Sequence, residues 1–580
     1  MTRTPEPRDW YPATRGHGDT EVTSERPGWS ELPLILRATL VLAVAAAVGA
    51  GIAERIWYLE HDPLDSDEAV AGLMARHFLA GHANAFFWGQ RYGGAETFVV
   101  MAAFWLFGSS TLVLRMVPVC LDVVACVLAW RVGAHLVRQR WLAVAAAAGM
   151  WAVPQVAVWN STLEYGFRGV TMICGLALLL FTLRAVRRAR ISADVVGIGT
   201  AAGLGWWSSP EIVYFAVPSA IWFFSWAWSV RHELRSQARA AWLWAALLAG
   251  AASALPWLWD NVASGFPSLD VSTYYVPPTA PHYCGRLLIF VLDSWPLLLD
   301  LRVPSSGSLR VPTELAVAVS ALVGVALVIA SVWCLSRGKQ AAGLAVAVLA
   351  YPFLVSMVPG SWLWQSGRYT VYFVPLALLL VIAAADAFVN RPIVRDTRRH
   401  ARFVHASAAI LLLLSLASTS AELSRFERVL APAGVDFGSG PNAPALSLVR
   451  TLVARGLREG YADYWVAYKL DFLSGGRLHF VPAPPSHIRT VGMLRQAEHA
   501  PARRQVWLFV HPTALERAEY VDSTVIQGPG ALAEQAFLED LDRLGVNYHV
   551  VHMGAVDAIV PVRRVTFADV GLHPLDHSRR

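Results

Sequence analysis

The chain has 580 residues, 55% of them hydrophobic and only 16% charged, with a formal net charge of +6, against about 25% charged in an ordinary soluble domain. With a mean hydropathy of +0.44, so few charges cannot cover three or four water-solvated domains, so lipid must solvate most of the chain. That excludes a cytosolic enzyme, a secreted disulfide scaffold and a disordered chain.

Residues 1–32 are polar and rich in Pro and Gly, and are expected to form a disordered cytoplasmic N-terminus. A membrane-crossing helix needs about 20 largely apolar residues. Spans are predicted near 33–53, 112–130, 141–157, 169–184, 193–207, 211–230, 241–258, 314–335, 341–358, 369–389 and 404–420, eleven in all. The first reads as an uncleaved signal anchor. The stretch 286–300, RLLIFVLDSWPLLLD, is apolar but short and broken by Asp293 and Pro296, and reads as an interfacial or re-entrant helix.

The connectors 131–140, 184–192, 231–239, 336–340 and 391–402 hold 17 Lys/Arg in 45 residues, while the alternate set holds 7 in about 115. Basic loops face the cytoplasm, so the net charge reflects membrane orientation, and nucleic-acid binding loses its motivation. The outer loop 58–111 and everything after 420 are then expected outside the membrane. The tail 421–580 alternates helical patterns (ALSLVRTLVARGL, GALAEQAFLEDLDRLGV) with strand-like runs (RLHFVP, RQVWLFVHP, NYHVVHM, DAIVPV) and reads as an extracytoplasmic α/β domain. The fold class is a polytopic α-helical membrane protein of about eleven spans with this C-terminal domain. The five cysteines, Cys120, Cys126, Cys174, Cys284 and Cys334, have no CxxC spacing and support neither a disulfide framework nor a zinc site.

Just past the first span, Asp62, Asp65, Asp67 and Glu68 cluster. Asp65 or Ser66 suits the N-cap of a helix over 67–80, and acids in its first turn are favoured by the helix dipole. Carboxylates near the bilayer surface also suit a general base or a metal ligand. From Asp65 to Arg115 the order is an outside loop opening with Asp67–Glu68, a helix, an aromatic segment, Leu106-Phe107-Gly108 and a second span. This resembles the GT-C membrane glycosyltransferases, and within them the protein O-mannosyltransferases and the bacterial aminoarabinose transferases that modify lipid A. Arg368-Tyr369, opening a late span in GRYTVYFVPLALLL, is a second matching point. The resemblance covers roughly residues 33–390.

It implies an enzyme that moves a sugar from a polyprenyl-phosphate donor to an envelope glycan, lipid or protein acceptor on the outer face of the cell membrane, with inversion. Asp67 corresponds to the general base, and Glu68 would hold the acceptor or a divalent cation, the one cofactor in view. Gln90–Arg91 stands where the aminoarabinose transferases carry a Glu–Lys pair, so Arg91 takes the basic role while the acid, and a metal ligand with it, is lost. Arg368, with Tyr369 beside it, is the second candidate for the donor phosphate. Glu211, after Pro210 at an outer helix start, reads either as a cap or as a second acid of the substrate site. Glu164 and Arg168 read as a cavity mouth or as an internal salt bridge, and His61, His77 and His82 are further candidate ligands. In the tail, Tyr461, Tyr464, Trp465 and Tyr468 read as domain core or as a stacking surface for sugar. A transporter or lipid flippase, the alternative, predicts ionisable residues at mid-helix and an internal repeat. Only the isolated Asp122 and Asp386 meet the first condition, and the two halves do not resemble each other.

Overall fold

The computed structural model describes residues 34–188, 193–229, 237–269, 280–304, 307–337, 339–389, 397–425, 442–483, 485, 488–511, 534–554 and 556–572. The expected disordered N-terminus lies outside them. Helix α1 (Leu34–His61) runs through the first apolar stretch and stops because Pro63 disfavours helical backbone at the residue before it. Helix α2 (Ser66–Leu79) starts at once. Asp65 Oδ1 accepts the Glu68 N–H at 2.8 Å and Glu68 Oε2 accepts the Asp65 N–H at 3.2 Å. This reciprocal cap is worth about 1 kcal/mol. Helix α3 (Ala95–Phe107) ends at Gly108, whose φ of +81° explains the glycine of the Leu-Phe-Gly triplet. Ser110 caps α4 (Thr111–Leu136).

The membrane part continues through α5 (Arg140–Ala152), α6 (Gln155–Asn160), α7 (Arg168–Arg188), α8 (Ala193–Ser208), α9 (Val213–Ser229), α10 (Gln237–Ser253) and α11 (Leu255–Ser264). After these come α12 (Tyr283–Ile289), α13 (Trp295–Leu298), α14 (Thr313–Arg337), α15 (Lys339–Val355), α16 (Phe373–Val389) and α17 (Thr397–Arg425). A helix stands at each of the eleven predicted positions. By length and apolarity, α1, α4, α7 and α14 can cross a membrane alone, and α10 with α11, bent by 61°, can form a fifth span. Helices α8, α9, α15 and α16 have 16 or 17 residues, about 24–26 Å at 1.5 Å per residue against a roughly 30 Å hydrocarbon core. Among the described residues, length and apolarity thus support four or five spans and do not confirm the eleven expected. The membrane location itself agrees with what these helices expose: Val317, Leu322 and Ile329 on α14 are 60%, 72% and 62% accessible. The stretch 286–300 is two short helices, α12 and α13, joined by a wider turn over Phe290–Ser294.

The mid-helix acids have structural partners. Asp122 is not isolated: it takes an ion pair from Arg55 at 2.5 Å, and that guanidinium also lies 3.6 Å over the Trp151 ring. Asp386 accepts the backbone N–H groups of Arg138 and Gln139, at 3.0 and 2.9 Å, where α4 turns into α5.

Among the described residues the C-terminal domain holds a five-stranded sheet, β1 (Glu459–Ala462), β2 (His479–Pro482), β3 (Gln505–Val510), β4 (Tyr548–Met553) and β5 (Val556–Pro561), in the order β2-β1-β3-β5-β4. The first three strands are parallel; β5 is antiparallel to β3 and β4. Successive side chains alternate faces. Tyr461, Trp507 and Ile559 build one core with helix α21 (Glu534–Arg543), while Ala462, Val506, Leu508 and Ala558 build the other with α18 (Ala443–Ala454) and α19 (Tyr464–Leu473). Helix α20 (Val491–Glu498) packs beside β2 and β1.

Helix α19 docks on α2. The Ser66 hydroxyl donates to the Tyr464 carbonyl at 2.6 Å, and Arg76 donates to the Phe472 carbonyl at 2.8 Å while lying 4.2 Å over its ring. Phe472 lies so close to Gly72 that a Cβ there would stand 2.4 Å from its ring. The variant Gly72→Leu is therefore expected to weaken this docking by about 1–3 kcal/mol. The tail should then be cut by protease faster than in the wild type, and unchanged cleavage would refute the interlock.

Candidate active site

The loop from Asp62 to Glu68 is held by one buried arginine. Arg115, 2% exposed, donates to both Glu68 oxygens at 2.8 and 2.6 Å and to the carbonyls of Asp62 and Pro63 at 2.7 and 2.8 Å. Glu68 also accepts the cap N–H of Asp65. Both of its oxygens are thus engaged within the protein, an arrangement that does not fit a cation or an acceptor at Glu68. Burial at 0% requires such pairing.

One residue earlier on the helix, Asp67 meets a different set of partners. Its Oδ1 accepts the Tyr464 hydroxyl and an Arg489 N–H at 3.1 Å, while Arg368 stands 3.7 Å from Oδ2. Tyr464 and Arg489 come from the C-terminal domain and Arg368 from the membrane part. Tyr464 Oη and Arg489 Nη2 are 2.9 Å apart, and the Arg489 backbone N–H donates to the Tyr468 hydroxyl at 2.7 Å, which fixes the arginine. Burial pushes the Asp67 carboxyl up, but the guanidinium groups of Arg489 and Arg368, the Tyr464 hydroxyl and the more distant Arg168 together hold it below the usual range. Asp65, two residues away, goes the opposite way. Burial, then the charges of Glu68 and Asp67, push it up to about 7 despite the Glu68 N–H and the Tyr165 hydroxyl, which donates to it at 2.8 Å. Two neighbouring carboxyls thus sit at opposite ends of the carboxylate range.

Arg368 is placed by a tight turn. Gly367, at φ +61°, follows the turn Trp364–Ser366 and packs on Val156, where a Cβ would clash. Asn160 ties that turn to α6 by donating to the Ser366 carbonyl at 2.8 Å. The Arg368 guanidinium lies 5.2 Å over the Tyr369 ring. Behind it, Arg168 lies 3.9 Å over the Tyr165 ring and donates to Asn160 Oδ1. Among the described residues, Nε of Arg368, Nε of Arg489, and Nε and Nη2 of Arg168 have no hydrogen-bond partner. Glu211, buried and hydrogen-bonded to Ser209 at 3.2 Å and to Tyr372, is pushed up to about 7, first by burial. Three guanidinium groups thus gather around one fully ionised carboxylate, and the excess positive charge makes an anion seat.

The other sequence candidates fall around this seat. Arg91 is partly buried on the turn between α2 and α3, which packs on Arg489 through Gly89, where a Cβ would lie 2.7 Å from the arginine chain. Glu164 does not pair with Arg168. It shares a side-chain hydrogen bond with the buried Glu96, and burial and that neighbour hold it well above the usual range. His77 and His82 pair with each other at 4.9 Å near the opposite end of α2 from Asp67, and His61 stacks on Trp57 at 4.7 Å. Tyr461 is core, 4.1 Å from Trp507. Sequence reasoning missed Arg115, Tyr165 and Arg489, and named Tyr464 without its contact to Asp67.

No family model matches the chain, and no curated protein matches it in sequence. Among solved structures it is similar to apo ArnT from Cupriavidus metallidurans, with a TM-score of 0.53 at 12% identity, covering 90% of this chain and 97% of that one. The same protein bound to undecaprenyl phosphate aligns at a TM-score of 0.40 and 15% identity over 90% and 97% of the two chains. The apo oligosaccharyltransferase of Archaeoglobus fulgidus aligns at 0.43 and 14% identity over 82% of this chain and 69% of that one. What the chain shares with apo ArnT is therefore the fold.

Replacing Arg115 by Met should cost about 3–5 kcal/mol, because Glu68 is left charged and buried. The double variant Glu68→Gln/Arg115→Met should recover much of that loss. Thermal unfolding of the purified protein measures both, and a single variant as stable as the wild type would contradict the assignment.

Proposed function

We propose that this chain is an integral-membrane glycosyltransferase that moves a sugar from a polyprenyl-phosphate donor, with inversion, to an envelope glycan, lipid or protein acceptor on the outer face of the membrane. The observation that carries this reading is the Asp67 carboxylate set between Arg368 and Arg489, a few residues past the end of the apolar helix α1.

In the reaction, the acceptor hydroxyl gives its proton to Asp67 as its oxygen bonds to the anomeric carbon. The bond from that carbon to the phosphate oxygen breaks, and polyprenyl phosphate departs. Positive charge develops on the sugar ring and negative charge on the phosphate. Arg368 and Arg489 receive the latter through paired, charge-assisted hydrogen bonds, for which their unpartnered Nε groups are spare donors. Arg91, on the turn that packs on Arg489, takes the outer edge of the phosphate. Tyr369 orients Arg368 from below. Glu211, near half-protonation at neutral pH, can donate to or accept from a sugar hydroxyl. Glu68 acts through Arg115 as a positioning residue that sets the first turn of α2.

The same two arginines serve base and leaving group, and this couples the two. While they face Asp67 its carboxylate is a weak base. A phosphate arriving between them neutralises their charge, and Asp67 becomes more basic as the acceptor needs it.

Asp67→Asn should lower transfer by about 10²–10⁴-fold without loss of folded protein. Mass spectrometry of envelope glycans and glycolipids, from cells carrying the wild type, Asp67→Asn or neither, reads this out and identifies the product. An undiminished product would exclude Asp67 as the base. The pH profile carries a second test. In free protein the depressed Asp67 stays ionised to low pH, so Arg489→Ala, which removes a lowering charge and leaves the burial, should move the acid limb of kcat/KM to higher pH. In the wild type the acid limb of kcat should lie above that of kcat/KM. Limbs that coincide and do not move in Arg489→Ala would contradict the coupling.

A further inference from the structure

A second cluster of ionisable groups lies in the C-terminal domain, built from elements that the proposed reaction does not use. The register of the sheet puts it together. Asp557 on β5 pairs with Phe509 on β3 and with His552 on β4, so the side chains of all three share one face. His511 is two residues beyond Phe509 and falls on that face as well. It is the face that carries Trp507, Ile559 and Phe537, so the strand pattern calls for an apolar residue at 557. The chain has an aspartate there instead, with a side chain only 12% exposed. Phe537 packs α21 on this face, which brings Glu534, in the first turn of α21, over the end of β3.

Three ligand-type atoms converge there. His511 Nε2 is 3.0 Å from Asp557 Oδ2 and 3.1 Å from Glu534 Oε2, and all three lie within 4.8 Å of one another. A single imidazole N–H cannot satisfy two carboxylates from two elements, and two carboxylates facing one point call for a cation between them. Four-coordinate zinc with bonds of about 2.0–2.1 Å sets its ligand atoms roughly 3.3 Å apart, close to the two separations from His511 Nε2. The other oxygen of Asp557 accepts from His552 Nδ1 at 2.6 Å, the outer hydrogen bond that orients a ligating carboxylate. One nitrogen and two oxygens suit a transition metal better than calcium or magnesium, which take oxygen ligands. His511, 55% exposed, leaves the site open to solvent for entry and for a water ligand.

We propose that His511, Glu534 and Asp557 bind one divalent transition-metal ion of the zinc class, with His552 positioning Asp557. The metal clamps the end of β3 to the start of α21. It sits at the carboxyl end of β3, and the neighbouring parallel strand β1 leads from its own carboxyl end into Tyr464. The site therefore braces the sheet edge that presents Tyr464 to Asp67.

Cobalt is the probe, because Co²⁺ in such a site absorbs visible light. Tag-free, metal-stripped full-length protein in detergent is titrated with Co²⁺ and then with Zn²⁺ or Mg²⁺. The wild type should take up one Co²⁺ with a visible band that Zn²⁺ abolishes and Mg²⁺ leaves in place. His511→Ala and Glu534→Gln should each lose that band while keeping the wild-type circular dichroism. His552→Ala should keep the band with about 10–100-fold weaker affinity. A wild type that binds no Co²⁺, or a folded His511→Ala that binds it with the same band and affinity, overturns the proposal and leaves the cluster a hydrogen-bonded network.

Discussion

The Asp67 carboxylate is where the two halves of this protein meet, and much else depends on how its charge is held. A carboxylate with a side chain only 15% exposed would take up a proton unless opposite charge stood beside it. The membrane part brings Arg368 and the C-terminal domain brings Arg489 with Tyr464. The two arginines, like-charged and close, in turn need the carboxylate between them. Domain docking and the candidate site are therefore one arrangement: a tail that left α2 would strip Asp67 of two of its three donors. Glu68, the next residue, lies about 100° further round the helix and is held by Arg115. That pair sets the orientation of the helix turn on which Asp67 is presented.

Much of this was legible in the sequence, and the reasons for what was not are physical. Hydrophobic runs locate helices because lipid leaves a backbone few alternatives, and all eleven predicted segments are helical. Their number as crossings is less legible, since 16- or 17-residue helices in a bundle do not declare whether they span. Asp67 and Arg368 could be picked out because charge is scarce in this chain and each stands at the edge of an apolar run. Tyr464 and Arg489 could not be joined to them: they lie 397 and 422 residues from Asp67 in sequence, and no local pattern encodes a contact of that separation. Arg115 sits inside a predicted span, where it read as the end of a motif rather than as the partner of Glu68. Strand β1, Glu-Gly-Tyr-Ala, carries only one large apolar side chain, Tyr461, too little for a strand-like run to register. The His511 cluster escaped a search for metal sites that began from cysteines, because its ligands are spread over three elements that only the sheet register brings together.

In the proposed reaction, the scarcity of charge has a chemical consequence. Arg368, Arg489 and Arg168 carry more positive charge than Asp67 balances, while Glu211 and Asp65 rest near half-protonation. Such a seat favours an anion, and it makes the anion a competitor of Asp67 for the same donors. The energy of binding the phosphate is then spent partly on freeing the base, an interaction realised as the reaction begins.

The affinity for undecaprenyl phosphate, used as a sugar-free probe, reads out that competition between Asp67 and the phosphate. Native mass spectrometry or tryptophan fluorescence on the full-length protein would compare the wild type with Asp67→Asn and Arg489→Ala. Asp67→Asn, whose arginines are released, should bind more tightly, and Arg489→Ala more weakly. Equal affinity in all three, or weaker binding by Asp67→Asn, would contradict the competition.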